Sequence, residues 1–183
     1  MRELSLHILD IVQNSVSAGA SLIQIAIRED TKADRMSIDI IDNGRGMTRT
    51  QVSKVSDPFF TSRTTRKVGL GIPLFKMAAE QAGGDFSIES IPGKGTTVKA
   101  TFGLTNIDRA PLGNMVATVN VLIRCNPKID FIYHREKDDR SFTLDTRELR
   151  KELGVEVPLD APEVLEWVDG YLKENTEQIV GGA

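Results

Sequence analysis

The sequence predicts an α+β fold, in which amphipathic helices are separated by pairs of antiparallel strands. Two segments place apolar residues at the three-to-four spacing of an amphipathic helix, at 2–18 and 72–82. Four segments alternate polar and apolar residues as half-buried strands do, at 21–28, 36–41, 85–90 and 96–102. Polar or glycine-rich turns join the strands in pairs, which predicts two hairpins.

The composition predicts a soluble globular protein. Hydrophobic residues make up 40% and charged residues 27% of the chain, and the net charge of -3 gives no reason to expect nucleic-acid or membrane binding. The apolar runs are shorter than the roughly 20 residues that span a bilayer. Met1 leads into an amphipathic segment rather than an apolar signal core, so we expect a cytoplasmic protein. A single cysteine, Cys125, excludes an intrachain disulfide and a zinc ribbon.

The first predicted helix carries a polar face beside its apolar stripe, which includes Ser15. Asp10, Asn14 and Ala18 recur every four residues and therefore lie on one side of the helix. An asparagine oxygen can ligate Mg²⁺, and an aspartate can orient and deprotonate water. Two solvated polar residues would show the same spacing, so both interpretations stand for this pair alone.

The second strand runs directly into Asp42-Asn43-Gly44-Arg45-Gly46-Met47. An aspartate at the end of a strand can present its carboxylate at the floor of a pocket. The two glycines let the backbone approach a ligand closely. A strand that simply ends in an Asn-Gly turn would have the same residues.

The next segments have loop and phosphate-site character. Thr48 is a plausible cap for a short helix to Val55, and Asp57-Pro58-Phe59-Phe60-Thr61 follows. Residues 62–67 are polar and basic, which suits either a solvated loop or a lid with cations over phosphates. The glycines of Gly69-Leu70-Gly71 open the second long helix, where free N–H groups can bind an anion.

Taken together, these stretches resemble the GHKL ATPases, which include gyrase-type topoisomerases, heat-shock chaperone ATPases, histidine kinases and mismatch-repair ATPases. The resemblance covers about residues 1–103, and its boxes stand in the family order at 10–20, 42–47, 57–61, 69–72 and 95–97. The family implies a two-layer α/β sandwich, with helices over one face of a mixed, mostly antiparallel sheet. It also implies ATP and Mg²⁺ bound between the helices and the lid.

The resemblance implies a role for each matched residue. Asp42 would accept a hydrogen bond from the adenine amino group with support from Thr96, Asn14 would ligate Mg²⁺, and Asp10 would be the catalytic base. The other implied ATP-binding residues are Ala18, Gly44, Gly46, Met47, Phe59, Arg63, Arg66, Lys67, Gly69, Leu70 and Gly71. The family usually has glutamate where this chain has Asp10, and the shorter side chain favours slow hydrolysis or phosphoryl transfer over fast turnover.

The layout resembles stand-alone members of the family, such as anti-sigma factor kinases and the catalytic domain of histidine kinases. The first box begins almost at Met1, so we expect no acceptor-histidine hairpin before it. Only His7 and His134 are present, and His7 is most simply a helix-face residue. The domain prediction is a GHKL ATP-binding domain at 1–104, a small αββαα subdomain at 105–175, and a disordered tail at 176–183. Burial tendency favours a core position for Trp167 over a binding anchor.

Two functions remain open at this level. The first is an ATP-dependent kinase or slow ATPase that acts on a protein partner. The second is a nucleotide-sensing module in which ATP changes the affinity for that partner. An anti-sigma-like protein, a response-regulator-like protein and a hydrogenase-type subunit are the candidate partners. The last is included because the whole layout resembles ATP-binding proteins encoded beside iron-only hydrogenase subunits. Homodimerisation is left open.

Overall fold

The computed structural model describes residues 2–57 and 70–181. Its helices are α1 (Leu4–Ser17), α2 (Arg49–Val55), α3 (Gly71–Gln81), α4 (Met115–Cys125), α5 (Thr146–Leu153) and α6 (Pro162–Thr176). Its strands are β1 (Leu22–Asp30), β2 (Arg35–Asp42), β3 (Phe86–Ile91), β4 (Gly95–Gly103), β5 (Asp130–Lys137) and β6 (Arg140–Asp145). None of the described helices is long and apolar enough to cross a membrane.

The described strands form one six-stranded sheet in the order β3-β4-β2-β1-β5-β6. Every neighbouring pair is antiparallel except β1 and β5, which run parallel. The predicted mixed, mostly antiparallel sheet is therefore confirmed. The register places Asp42, the last residue of β2, opposite Thr96 of β4.

One face of this sheet is buried under the helices. Side chains alternate between the two faces of a strand, and the buried positions follow that period on each inner strand. On β1 they are Ile23, Ile25 and Ile27, and on β2 they are Met36, Ile38 and Ile40. Helix α1 packs on this face and contacts both α3 and α4. The predicted arrangement, with helices over one face of the sheet, is thus confirmed.

Residues 105–114 connect β4 to α4 and also accept hydrogen bonds from backbone amides at the start of α1. Glu3 makes no side-chain cap for that helix. Instead, the amides of Leu4 and Ser5 donate to the carbonyls of Pro111 and Leu112 at 2.9 Å and 2.8 Å. The connection therefore supplies two of the acceptors that a helix N-terminus lacks. It also brings the chain back so that β5 can pair with β1.

The predicted αββαα segment extends the sheet. Strands β5 and β6 lie beside β1, and α6 packs on α4. The predicted domain boundary at residue 105 remains a prediction. Within the tail, Thr176 is followed by a π-helical turn at Glu177–Gly181, in which Ile179 is only 6% exposed. The predicted disorder of residues 176–183 remains a prediction.

Candidate nucleotide-binding site

A cavity of about 240 Å³ lies where α1, the ends of β2 and β4, and the loop after β2 meet. Six of the residues predicted for the ATP site line it: Asn14, Ala18, Asp42, Gly46, Met47 and Thr96. These residues lie far apart in the sequence, and the sheet register and the packing of α1 bring them together. Phe59, Arg63, Arg66, Lys67 and Gly69 lie outside the described residues.

The carboxylate of Asp42 is held in one orientation. Its Oδ1 accepts the backbone N–H of Gly44 at 2.8 Å, and its Oδ2 accepts the hydroxyl of Ser15 at 2.6 Å. A carboxylate can accept about four hydrogen bonds, so these two contacts leave acceptor capacity directed into the cavity. The site therefore contains an oriented hydrogen-bond acceptor that suits an amino group.

Thr96 lies opposite Asp42 and lines the same cavity. The β2–β4 register pairs the two residues, and the Thr96 hydroxyl lies 2.8 Å from the Ser90 hydroxyl. Ser90 in turn accepts the backbone N–H of Met47 at 2.7 Å. The loop after β2 is thus tied to the β3–β4 hairpin at the edge of the cavity.

The glycines of the loop are required by close packing. A Cβ on Gly44 would lie 2.8 Å from the Ala18 Cβ and 2.9 Å from the Ala18 carbonyl oxygen. Gly46 has a positive φ of 70°, and a Cβ there would lie 2.0 Å from the Ile91 oxygen. The Arg45 amide also donates to the Ala18 carbonyl at 2.9 Å. A small residue at position 18 therefore lets the loop lie against the end of α1.

The sequence analysis missed several residues of this cavity. Its apolar walls include Ile11, Ile40, Val55, Ile72 and Val98, and Arg45 also lines it. Ile40 lies two residues before Asp42 on β2 and is paired with Val98 of β4. Because alternate residues of a strand share a face, the position of Asp42 could have predicted that Ile40 lies on the same side. Ser15 was assigned to the apolar stripe of α1. Its hydroxyl among buried aliphatic residues could have indicated a hydrogen-bonding role, because a buried hydroxyl needs a partner.

The predicted base and metal ligand lie where α1 meets the start of α3. A Cβ on Gly71 would lie 3.3 Å from the Asp10 Cβ and 3.8 Å from the Asn14 Nδ2. The Arg2 guanidinium donates to the Asp10 carboxylate at 2.5 Å, and both side chains are about 40% exposed (40% and 41%). The Asn14 side chain makes no hydrogen bond within residues 2–57 and 70–181, so its oxygen is available to a cation. Asn14 lines the cavity, whereas Asp10 lies one helical turn away and outside its lining residues.

The start of α3 suits an anion. Leu70 precedes the helix without a side-chain cap, and no acidic residue lies in the first turn. Pro73 in that turn has no N–H, so it leaves no unsatisfied donor at the helix start. Among the described residues, no group of three or more His, Cys, Asp or Glu side chains could hold a metal ion.

His7 lies on the face of α1 that packs against α3. It is 6% exposed and packs against Phe75 of α3, with 5.9 Å between ring centroids. Burial, reinforced by the charge of Arg2, lowers the pKa of His7 below its usual value, although Asp10 opposes the shift. Its buried Nδ1 has no hydrogen-bond partner among the described residues. His7 is thus part of the α1–α3 contact behind the site.

The family model described as "Histidine kinase-, DNA gyrase B-, and HSP90-like ATPase" matches residues 2–106. That range is more than half of the chain and contains the cavity. The chain therefore belongs to this ATPase family, in agreement with the resemblance of its motifs.

The most similar curated proteins include sensor kinases. Sensor protein kinase FleS of Pseudomonas aeruginosa is 33% identical over 105 residues, which cover 57% of this chain and 25% of FleS. Signal transduction histidine-protein kinase AtoS of Escherichia coli is 34% identical over 91 residues, covering 49% of this chain and 15% of AtoS. The chain thus corresponds to a quarter or less of the length of these two relatives.

Solved structures show the same fold. The ATPase domain of MutL from Aquifex aeolicus, solved with ADP, has a TM-score of 0.50 at 16% identity. The match covers 84% of this chain and 68% of that one. The N-terminal domain of a DNA repair protein gives a TM-score of 0.53 at 17% identity, covering 79% and 53%.

Proposed function

We propose that the chain binds ATP with Mg²⁺ and acts as a histidine-kinase-like ATPase that phosphorylates or regulates a protein partner. The observation that carries this proposal is the Asp42 carboxylate, which two donors hold at the floor of a cavity with apolar walls. An adenine ring has the complementary chemistry, because it has flat apolar faces and an amino group at one edge. Guanine carries an oxygen at that edge and would meet the carboxylate unfavourably.

The phosphates would extend from this cavity toward the start of α3. Asn14 would hold Mg²⁺, which supplies positive charge against the phosphate oxygens. The amides at Leu70 and Gly71 would donate to those oxygens, and Arg63, Arg66 and Lys67 are further candidates for this role. Asp10 lies one helical turn from Asn14 and would orient water or an acceptor hydroxyl. The proposed location is cytoplasmic.

The alternative function, a nucleotide sensor with little hydrolysis, is supported by the Arg2–Asp10 contact. A general base has to accept a proton from the group that it activates. The Arg2 guanidinium donates to Asp10 Oδ2 at 2.5 Å and so occupies part of the acceptor capacity that a general base needs. The contact is half exposed, so a substrate or partner could displace Arg2. The proposed partners are an anti-sigma-like protein, a response-regulator-like protein or a hydrogenase-type subunit.

Asp10→Asn tests the enzyme against the sensor. If the chain is catalytic, this variant loses ATP turnover or phosphoryl transfer, while ATP affinity stays within about twofold of wild type. Arg2→Ala is the companion variant, because it removes the contact and keeps the carboxylate. Wild-type protein that shows no turnover or transfer above background with any candidate partner would overturn the enzyme proposal and leave the sensor. Turnover that persists in Asp10→Asn would remove the role assigned to Asp10.

A further inference from the structure

A groove of about 680 Å³ lies between α5 and α6, beside the end of β6, and we call it the acidic groove. Its apolar side chains come from both helices and from the strand: Leu144, Leu149, Leu153, Val164, Trp167 and Tyr171. Its volume falls within the roughly 300–1,000 Å³ of ligand clefts. None of the residues that line the nucleotide cavity contributes to it.

An aromatic pair, an exposed tryptophan and a partly buried tyrosine, forms part of the groove wall. The sequence favoured a core position for Trp167, but the structure leaves it 51% exposed. Its ring stacks on Tyr171 with 5.1 Å between centroids and 18° between planes. Val157, on the loop between the helices, is another large exposed apolar residue of the groove, at 38%. Tryptophan and tyrosine are enriched among the residues that dominate binding energy in protein interfaces, and Trp167 is the member of this pair that a partner could cover.

The rim of the groove is acidic. Four of the lining residues are acids, and none of the described lining residues is a lysine or an arginine. Asp145 pairs with Arg147 at 2.8 Å, and Glu148 lies 3.6 Å from Lys151. Glu152 and Glu163, on opposite walls, make no ion pair within the described ranges. Their charges are therefore available to a basic partner.

The edge of the sheet is partly occupied at this place. Tyr171 donates its hydroxyl to the Thr143 carbonyl of β6 at 3.1 Å, so that carbonyl is not free for an added strand. An added strand would need the backbone groups along this edge. An amphipathic helix instead needs an apolar groove with complementary charges beside it, which is what α5 and α6 provide.

From these observations we infer that the acidic groove binds an amphipathic helix of a partner protein that carries large apolar residues flanked by lysine or arginine. The apolar residues of the partner helix lie against Trp167, Leu149 and Leu153. Its basic residues face Glu152 and Glu163. This site is separate from the nucleotide cavity, so the inference about the groove does not depend on the ATP proposal.

The only tryptophan of the chain is Trp167, so its fluorescence reports on the groove directly. The probe is a short helical peptide made of leucine and lysine, with leucines along one face. The control peptide has glutamate in place of every lysine. The leucine–lysine peptide shifts the Trp167 emission to shorter wavelength, because the ring becomes buried, and the leucine–glutamate peptide leaves it unchanged.

Charge variants test the rim. The double variant Glu152→Lys with Glu163→Lys weakens binding of the leucine–lysine peptide by about tenfold or more. The matched control is Glu80→Lys with Glu89→Lys, because it makes the same change in net charge on exposed residues of α3 and β3. That control stays within about twofold of wild type. Calorimetry should show that Trp167→Ala binds the leucine–lysine peptide more weakly. The circular dichroism spectrum of this variant should match that of wild type, because a half-exposed side chain contributes little to the fold.

Three results would overturn the inference. The first is equal binding of the two peptides, and the second is an equal loss of affinity in the two double variants. The third is a dimer in light scattering whose Trp167 emission shifts with protein concentration, because a second copy would then be the occupant.

Discussion

The substitution Asp42→Asn separates nucleotide recognition from folding. In the wild type, the carboxylate accepts from the Gly44 amide and from the Ser15 hydroxyl. An asparagine oxygen can keep the Gly44 contact. Its NH₂ group then faces Ser15, whose hydroxyl can turn and accept a hydrogen bond. The contacts within the protein are therefore retained, and we expect a change of less than about 1 kcal/mol in the free energy of unfolding.

The adenine contact cannot adapt in the same way. The amino group of adenine can only donate usefully at this edge, so it meets the donor end of the new amide. A mismatch of this kind in a buried site reduces binding by about 1–3 kcal/mol. Because about 1.4 kcal/mol is tenfold in affinity, the Kd for ATP rises by about 5-fold to about 150-fold.

Calorimetry with ATP and with GTP measures this effect. The preference for ATP over GTP falls in the variant, because the amide can donate to the guanine oxygen. The matched control is Asp39→Asn, which makes the same chemical change on the same strand. Asp39 lies outside the cavity, 3.4 Å from Arg28. An ATP affinity within about twofold of wild type in Asp42→Asn would refute the adenine contact.

Three further predictions concern residues around the cavity. Ser15→Ala removes a hydrogen-bond donor to the Asp42 carboxylate, so the free energy of unfolding measured by chemical denaturation should fall by about 1–2 kcal/mol. The ATP affinity measured by calorimetry should also fall. Unchanged values would mean that the Ser15 hydroxyl does not orient the carboxylate. Gly44→Ala places a Cβ 2.8 Å from the Cβ of Ala18, the residue after α1, and should lose about 1–3 kcal/mol of stability. Gly170→Ala meets nothing within 4 Å and should show no loss. The pKa of His7 is lowered in the folded state, so below about pH 6.5 the unfolded chain binds more protons and stability falls as the pH falls. His7→Leu should therefore lose less stability than wild type between pH 7.5 and pH 5.5, and equal losses would contradict the burial of the imidazole.

Residues 1–103 could be interpreted largely from sequence, because their signals are local. The period of apolar residues predicts the long helices and the strands, and Thr48 caps the short helix α2 as expected. The family motifs identified Asn14, Asp42 and Thr96, and all three line one cavity. Their chemical roles remain proposals, as do those of the residues outside the described ranges.

The tertiary structure decided the contacts that join distant segments. No local pattern shows that Ser15 donates to Asp42, since the contact depends on how α1 crosses the end of β2. The placement of β5 beside β1 depends on parallel pairing between strands about a hundred residues apart, and such pairing leaves no turn signal in the sequence. The exposure of Trp167 has a similar origin. Its helical spacing fits the buried stripe of α6, but only the position of α5 determines whether a neighbour covers the ring or a groove is left open.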